Sequence, residues 1–112
     1  MKRESSAYLR DILVSISRIK SYTEDLSKEE YEKKQLIVDG TLRNLEIIGE
    51  AVSQLPAEFK ERYPQVPWQD IKNFRNVVAH HYFMLNADRI WDIITNRLDS
   101  LEKQVKGILK EL

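Results

Sequence analysis

The sequence predicts an all-α fold, an up-and-down bundle of four main helices plus a short helix, in a single domain that spans residues 1–112. Only three glycines and three prolines interrupt the chain, which favours long helices. Apolar residues recur at steps of three and four, the spacing of one face of a helix. A chain of this length usually forms one domain, and 42% of hydrophobic residues suffices for a folded core.

Two long helices are predicted for the N-terminal half. The first covers about residues 6–22, and the second runs from residue 27 to about residue 55, where a proline follows. Ser27 and Glu30 have the spacing of a capping box, which satisfies free backbone N–H groups at a helix start. Gly49, inside the second helix, is expected to let another helix approach closely. The apolar stripes are Leu9, Ile12, Leu13, Ile16 and Ile19 in the first helix, and Val38, Leu42, Leu45, Ile48, Val52 and Leu55 in the second.

The C-terminal half is predicted to hold a short helix at residues 57–63 and two more main helices. The third begins at Pro67, whose missing N–H is not needed in a first turn, and ends near His81. Asn86 suits the N-cap position of the fourth helix. The inward-facing residues are Trp68, Ile71, Phe74 and Val78 in the third helix, and Trp91, Ile94, Leu98, Leu101, Val105, Ile108 and Leu112 in the fourth. So narrow a seam is typical of a helix packed nearly antiparallel in a bundle.

Charge and composition exclude several classes of protein. Eighteen basic and 18 acidic residues give a formal net charge of zero, so any RNA contact must depend on a local basic cluster. The absence of cysteine excludes disulfides, thiolate zinc sites and cysteine nucleophiles. No apolar run approaches the roughly 20 residues that cross a bilayer, and the N-terminus lacks the apolar region of a signal peptide. These features predict a cytoplasmic protein with no membrane association.

Neither a metal nor a cofactor is expected. The two histidines, His80 and His81, are neighbours, and neighbouring side chains on a helix point about 100° apart. They therefore cannot grip one ion as a pair four residues apart could. No other residues have zinc-ligand spacing, and the sequence has neither a glycine-rich phosphate loop nor a nucleophile elbow.

Residues 75–82 hold the densest group of chemically useful side chains. Asn76 and His80 are four residues apart and share a helix face. Arg75 and Tyr82 are seven apart and share the next face if the helix extends that far. Together these residues would present a guanidinium that clamps phosphate, a carboxamide, an imidazole that moves protons near neutral pH, and a phenol.

An ordinary structural interpretation is open for each of these residues. Arg75 could pair with Glu46 or Glu50 of the second helix. A single asparagine, histidine or tyrosine on a helix is more often a surface or half-buried residue than a catalyst. His81 is interpreted as a packing or helix-end residue.

The order of these residues resembles a known motif. Arg75, His80 and Tyr82 form the pattern Arg-x4-His-x-Tyr, and Asn76 directly follows the arginine. This pattern resembles the motif of the HEPN superfamily. More narrowly, the chain resembles the HepT-type toxins of MNT–HEPN toxin–antitoxin pairs over about residues 8–105. The other matching stretches are Leu45-Glu46-Ile47-Ile48-Gly49-Glu50-Ala51, Val66-Pro67-Trp68 and His80-His81-Tyr82-Phe83.

The resemblance implies a HEPN-like bundle that forms a homodimer, with two motifs facing one cleft, and a metal-independent endoribonuclease that cleaves RNA there. His80 would transfer protons, Arg75 would stabilise charge on the phosphoryl oxygens, and Asn76 would orient phosphate or imidazole. Glu50 would hold Arg75 in place from the neighbouring helix.

The resemblance implies a different, regulatory role for Tyr82. The cognate antitoxin, a minimal nucleotidyltransferase, would transfer AMP from ATP to this tyrosine, and the added phosphate beside Arg75 would block RNA. Two alternatives stay open. One is a non-catalytic nucleotide- or RNA-binding helical subunit that partners a nucleotidyltransferase, and the other is a plain interaction domain with Arg75 in a structural ion pair.

Overall fold

The computed structural model describes the backbone of residues 3–84 and 87–112 and the side chains of residues 3–81 and 88–112. All regular secondary structure in these residues is helical, which confirms the predicted all-α fold. The helices in chain order are α1 (Ser5–Thr23), α2 (Lys28–Glu32), α3 (Gln35–Gln54), α4 (Ala57–Arg62), α5 (Trp68–Lys72), α6 (Phe74–Met84), α7 (Ala87–Asn96) and α8 (Leu98–Glu111). None of the described helices combines the length and the apolar character that crossing a membrane requires.

Helix α3 occupies the centre of the bundle. It packs along α1 and also contacts α2, α5 and α6, while α8 packs on α1 and α7 contacts both α6 and α8. Every residue of the predicted α3 stripe is at most 7% exposed. The predicted α1 stripe is buried too, apart from Leu13, which packs against the core while partly exposed. The predicted helical periodicity therefore identifies the two helices that form most of the core.

The predicted second main helix is divided in two at residues 33–34. The capping box at its start is confirmed: Glu30 N–H donates to Ser27 Oγ over 3.1 Å, and Ser27 N–H donates to Glu30 Oε1 over 3.0 Å. At the end of α2 the backbone N–H groups of residues 33–34 bond carbonyls three residues back, which tightens the last turn. Tyr31 of α2 is buried, and its ring centroid lies 5.2 Å from that of Trp91 on α7.

The third and fourth predicted main helices are each interrupted at a single residue. Asn73 separates α5 from α6, and Arg97 separates α7 from α8. Helical hydrogen bonds continue through both positions, because the Asn73 carbonyl accepts from Val77 N–H at 3.0 Å and the Arg97 carbonyl from Leu101 N–H at 3.2 Å. Both interruptions are therefore slight, and the chain follows the two predicted helices closely.

The buried seam of α7 differs from the predicted one. Ile90 and Ile93 are buried there, whereas Trp91 and Ile94, which were predicted to form the seam, are only partly buried. The interruption between α7 and α8 makes the step from Ile93 to Leu98 five residues long. Steps of three and four counted back from Leu98 reach Ile94 and Trp91. The buried residues, Ile93 and Ile90, each lie one position earlier in the sequence.

Two predictions at the ends of the fourth helix have different outcomes. Leu112 was predicted to continue the seam, but it follows the end of α8 and is 59% exposed, so the seam ends at Ile108. Asn86, the predicted N-cap, lies outside the described residues.

Candidate active site

Helix α6 carries the motif and presents part of it to solvent. Phe74, Val77 and Val78 are at most 6% exposed and anchor α6 in the core beside α3. Because these three residues fix the rotation of the helix, Asn76 and His80 emerge on its exposed side. The hydrophobic pattern of α6 therefore determines where the polar motif points.

A cleft of about 200 Å³ lies between α6 and α7, beside His80. It is lined by Asn73, Asn76, Val77, His80 and Arg89. The Asn76 Nδ2 group donates to the Asn73 Oδ1 atom at 3.4 Å. Asn76 and His80, predicted to share a helix face, thus lie in one cleft.

Arg75 lies on the flank of α6 that faces α3. A Cβ atom at Gly49 would be 2.8 Å from the Cγ of Arg75, 3.3 Å from its backbone nitrogen and 3.2 Å from the carbonyl oxygen of Lys72. Only a glycine permits two helices to meet this closely, so the predicted close approach at Gly49 is confirmed. Arg75 is exposed, but it does not line the cleft that holds His80.

The two glutamates that were expected to pair with Arg75 have other surroundings in the single chain. Among the described residues no ion pair joins Arg75 to Glu46 or Glu50, and Glu46 Oε2 lies 3.6 Å from Arg43 Nη1. The position that faces α6 is Gly49, and a neighbouring residue on a helix points about 100° away, which turns Glu50 toward solvent. The supporting role of Glu50 stays a prediction.

The end of the motif is described only in part. His81 is half-buried, in keeping with its interpretation as a packing residue. The backbone of Tyr82 belongs to α6, but its side chain lies outside the described residues. The role predicted for Tyr82 therefore stays a prediction.

Arg89 also lines this cleft, although no motif in the sequence singles it out. It stands in the first turn of α7, next to Ile90, which is fully buried and sets the rotation of that helix. The signal in the sequence is a basic residue shortly after the motif. Because the net charge of the chain is zero, RNA binding at the motif requires a local cluster of basic residues. That signal is weak, because only the packing of α7 on α6 brings Arg89 beside His80.

The cleft combines groups suited to phosphate chemistry. Its asparagines offer amide donors and acceptors, its imidazole can move a proton, and its guanidinium can bind an anion. Within residues whose side chains are described, no group of three or more histidine, aspartate or glutamate side chains is placed to hold a metal ion. Such a site can bind a phosphate and transfer a proton beside it.

Comparison with known proteins identifies a family that matches this chain. The family described as "Ribonuclease HepT-like" matches residues 12–108. A candidate RNase of Methanocaldococcus jannaschii is 38% identical over 111 residues, which cover 99% of this chain and 92% of the relative. A candidate RNase of Caldanaerobacter subterraneus is 39% identical over 93% of each chain. A probable ribonuclease HepT of Thermococcus cleftensis is 30% identical over 98% of this chain and the whole relative. No solved structure matches the chain significantly.

Proposed function

The chain belongs to the HepT-like ribonuclease family, and on that premise we propose that it is an endoribonuclease toxin that cleaves RNA without a metal ion. Family membership makes it a ribonuclease, and the finer statements here are our own proposal. The observation that carries the proposal is the cleft that Asn76 and His80 share, on the helix that also bears Arg75. The toxin would act on RNA in the cytoplasm.

The reaction uses the nucleophile that RNA itself carries. The imidazole of His80 accepts the proton of the ribose 2′-hydroxyl, whose oxygen attacks the adjacent phosphorus. The bond from phosphorus to the 5′-oxygen breaks, and that oxygen takes a proton from a second acid. The products are a 2′,3′-cyclic phosphate and a 5′-hydroxyl, so no metal ion or cofactor enters the balance.

Arg75 and Asn76 have supporting roles in this reaction. Because Arg75 and His80 lie on different flanks of α6, they act on one phosphate only where two motifs face one cleft in the homodimer. There the Arg75 guanidinium stabilises the negative charge that develops on the phosphoryl oxygens, while the Asn76 amide orients phosphate or imidazole. Glu50, on the neighbouring helix α3, would hold this guanidinium in place. The exposure of Arg75 is compatible with a position that faces a second subunit.

A homodimer would supply the second acid. His80 of the partner subunit would protonate the leaving oxygen, so that each of two histidines has one proton-transfer role. Val14 on α1 is 47% exposed and Leu36 on α3 is 87% exposed. Single apolar side chains are commonly exposed on protein surfaces, so the homodimer is proposed for the second acid that it supplies.

The antitoxin in this proposal is a nucleotidyltransferase that neutralises the toxin by AMP transfer to Tyr82. The Tyr82 hydroxyl displaces pyrophosphate from ATP and becomes a phosphodiester. The new negative charge and the bulk of AMP then occupy the anion site of the motif and exclude RNA.

The decisive experiment is RNA cleavage by the purified chain in the presence of EDTA. We expect fragments with 2′,3′-cyclic phosphate ends from the parent and none from His80→Ala. His81→Gln is the matched control, because it changes the neighbouring histidine outside the cleft and should keep the activity. Full cleavage by His80→Ala would remove His80 from the mechanism.

The formal charge of zero favours one alternative, because nothing in the overall charge attracts RNA from a distance. In it the chain is a non-catalytic helical subunit that binds nucleotide or RNA beside a nucleotidyltransferase. A folded dimer that binds RNA but never cleaves it, under any ionic condition, would favour this alternative.

A further inference from the structure

The cleft beside His80 holds a guanidinium that the motif does not account for. Arg89 lines the cleft together with Asn73, Asn76 and His80. The cleft measures about 200 Å³, well above the share of about 30 Å³ that one water molecule occupies in the liquid. It has room for a group larger than water, next to an imidazole and between neutral amides.

The motif arginine does not supply this charge within one chain. The stem of Arg75 rests on Gly49 of α3, on the other flank of α6. The cleft opens toward α7 and is lined by residues from α6, from the preceding Asn73 and from the first turn of α7. Of these two arginines, Arg75 and Arg89, it is Arg89 that lines the cleft with His80 among the described residues.

The position of Arg89 is held from two sides. Ile90 and Ile93 are buried at 0% and 2% exposure, so α7 cannot rotate without exposing its core face. Asp88, the residue before Arg89, forms an ion pair with Lys28 of α2. The hydrogen bond to Asp88 raises the pKa of Lys28, so the negative charge of Asp88 has a cationic partner outside the cleft. The carboxylate next to Arg89 in sequence is thus engaged by another helix.

From this arrangement we infer that Arg89 binds a phosphate group of the RNA in the cleft and so positions the strand against His80. The inference rests on the proposed ribonuclease function and adds its phosphate-binding residue. A guanidinium can donate two parallel N–H bonds to phosphate oxygens, and the neutral Asn73 and Asn76 do not repel an anion. Arg89 contacts the phosphate before the reaction as well as during it, so it contributes to RNA binding more than to the chemical step.

A kinetic experiment separates this role from catalysis. Arg89→Gln should raise KM for a single-stranded oligoribonucleotide about tenfold and leave kcat within about threefold, as expected when uniform binding is lost. Arg89→Lys keeps the charge and should recover part of the loss. Arg18→Gln, an exposed arginine of α1, is the matched control and should keep the parental KM.

A binding experiment makes the test independent of cleavage. A fluorescent oligoribonucleotide with 2′-O-methyl riboses cannot be cleaved, and its affinity for the protein is measured by anisotropy at several salt concentrations. Loss of one phosphate contact to a single strand should lower the slope of log K against log salt by about 0.7 in Arg89→Gln.

The outcomes distinguish the two proposals. If the parent cleaves RNA and Arg89→Gln has parental KM, affinity and salt slope, the inference about Arg89 is wrong and the ribonuclease stands. The inference is also wrong if kcat falls while KM and affinity stay unchanged. If the parent never cleaves RNA, the ribonuclease proposal fails, and the binding experiment alone still decides whether Arg89 holds phosphate.

Discussion

Gly49 on α3 lies directly against Arg75 on α6, and a methyl group at position 49 would be 2.8 Å from the Cγ of that arginine. Glycine costs about 1 kcal/mol relative to alanine in a helix interior, so α3 keeps an unfavourable residue at this contact. Helix α3 carries no residue of the Arg-x4-His-x-Tyr motif. Its Gly49 nevertheless determines how closely the motif residue Arg75 approaches the core.

Gly49→Ala should destabilise the protein. The new methyl group would also meet the Lys72 carbonyl oxygen at 3.2 Å, so α6 has to move away from α3. Overpacking costs about 1–3 kcal/mol of unfolding free energy. The replacement of glycine by alanine returns about 1 kcal/mol in helix propensity, which is less than the middle of that range. We expect a net loss of about 1 kcal/mol in the unfolding free energy, measured in urea, and reduced RNA cleavage.

Gly107→Ala is the matched control for this substitution. Beyond the chain neighbours and the backbone of α8 itself, no atom of the described residues lies within 4 Å of a Cβ at Gly107, on the exposed side of α8. Here the gain in propensity should stand alone and stabilise the protein by up to about 1 kcal/mol. If both variants are more stable than the parent, the contact at Gly49 is not as tight as described.

Arg75→Ala and Arg75→Lys should show how much of the catalytic effect of Arg75 comes from its positive charge and how much from the planar shape of its guanidinium. A lysine keeps the positive charge but loses the planar fork that matches phosphate oxygens. We expect kcat to fall at least about 100-fold in the alanine variant, since one donor to developing charge is commonly worth that much. Unfolding free energy should change by less than about 1 kcal/mol, because the side chain is exposed. Parental kcat in the alanine variant would exclude Arg75 from the reaction.

Tyr31 should make the stability fall in alkaline solution. Burial raises its pKa from 10.0 to about 12, so the unfolded chain ionises first as pH rises. The contribution is fully present below pH 10 and is lost between pH 10 and 12, by on the order of 2 kcal/mol. Urea unfolding across this range should show a steeper loss in the parent than in Tyr31→Phe. Identical slopes in the two proteins would contradict a buried, protonated phenol.

AMP transfer to Tyr82 should be visible by intact mass. Co-expression with the proposed nucleotidyltransferase should add the mass of an adenylyl group, which is AMP less one water, and peptide mapping should place it on Tyr82. Tyr82→Phe lacks the accepting oxygen, so it should stay unmodified and remain toxic beside the antitoxin. A Phe variant that is neutralised as well as the parent would mean that the antitoxin acts by binding alone.

The bundle could be predicted because its signal is local. The α3 stripe repeats at steps of three and four from Val38 to Val52, and the structure buries it as expected. The capping box at Ser27 and Glu30 is likewise a contact between near neighbours. The division at residues 33–34 has no such signal, since neither glycine nor proline stands there.

The arrangement of the candidate site depends on how helices meet. The four-residue spacing places Asn76 and His80 on one face, and no tertiary information is needed for that. The environment of Arg75 depends on the rotation of α3, which turns Gly49 instead of Glu50 toward α6. Arg89 joins the cleft only through the packing of α7, which sequence spacing does not encode.

The contact between Tyr31 and Trp91 has a spectroscopic consequence. Trp91 is half-buried on α7, two residues after Arg89, whereas Trp68 is buried and its indole N–H donates to the carbonyls of Lys60 and Tyr63. The two tryptophans of the chain should therefore fluoresce differently, with Trp68 shielded from solvent and Trp91 sensitive to it. Trp91 is thus a native optical probe of the packing of α2 against α7, the helix that supplies Arg89, and its emission should shift when this contact opens.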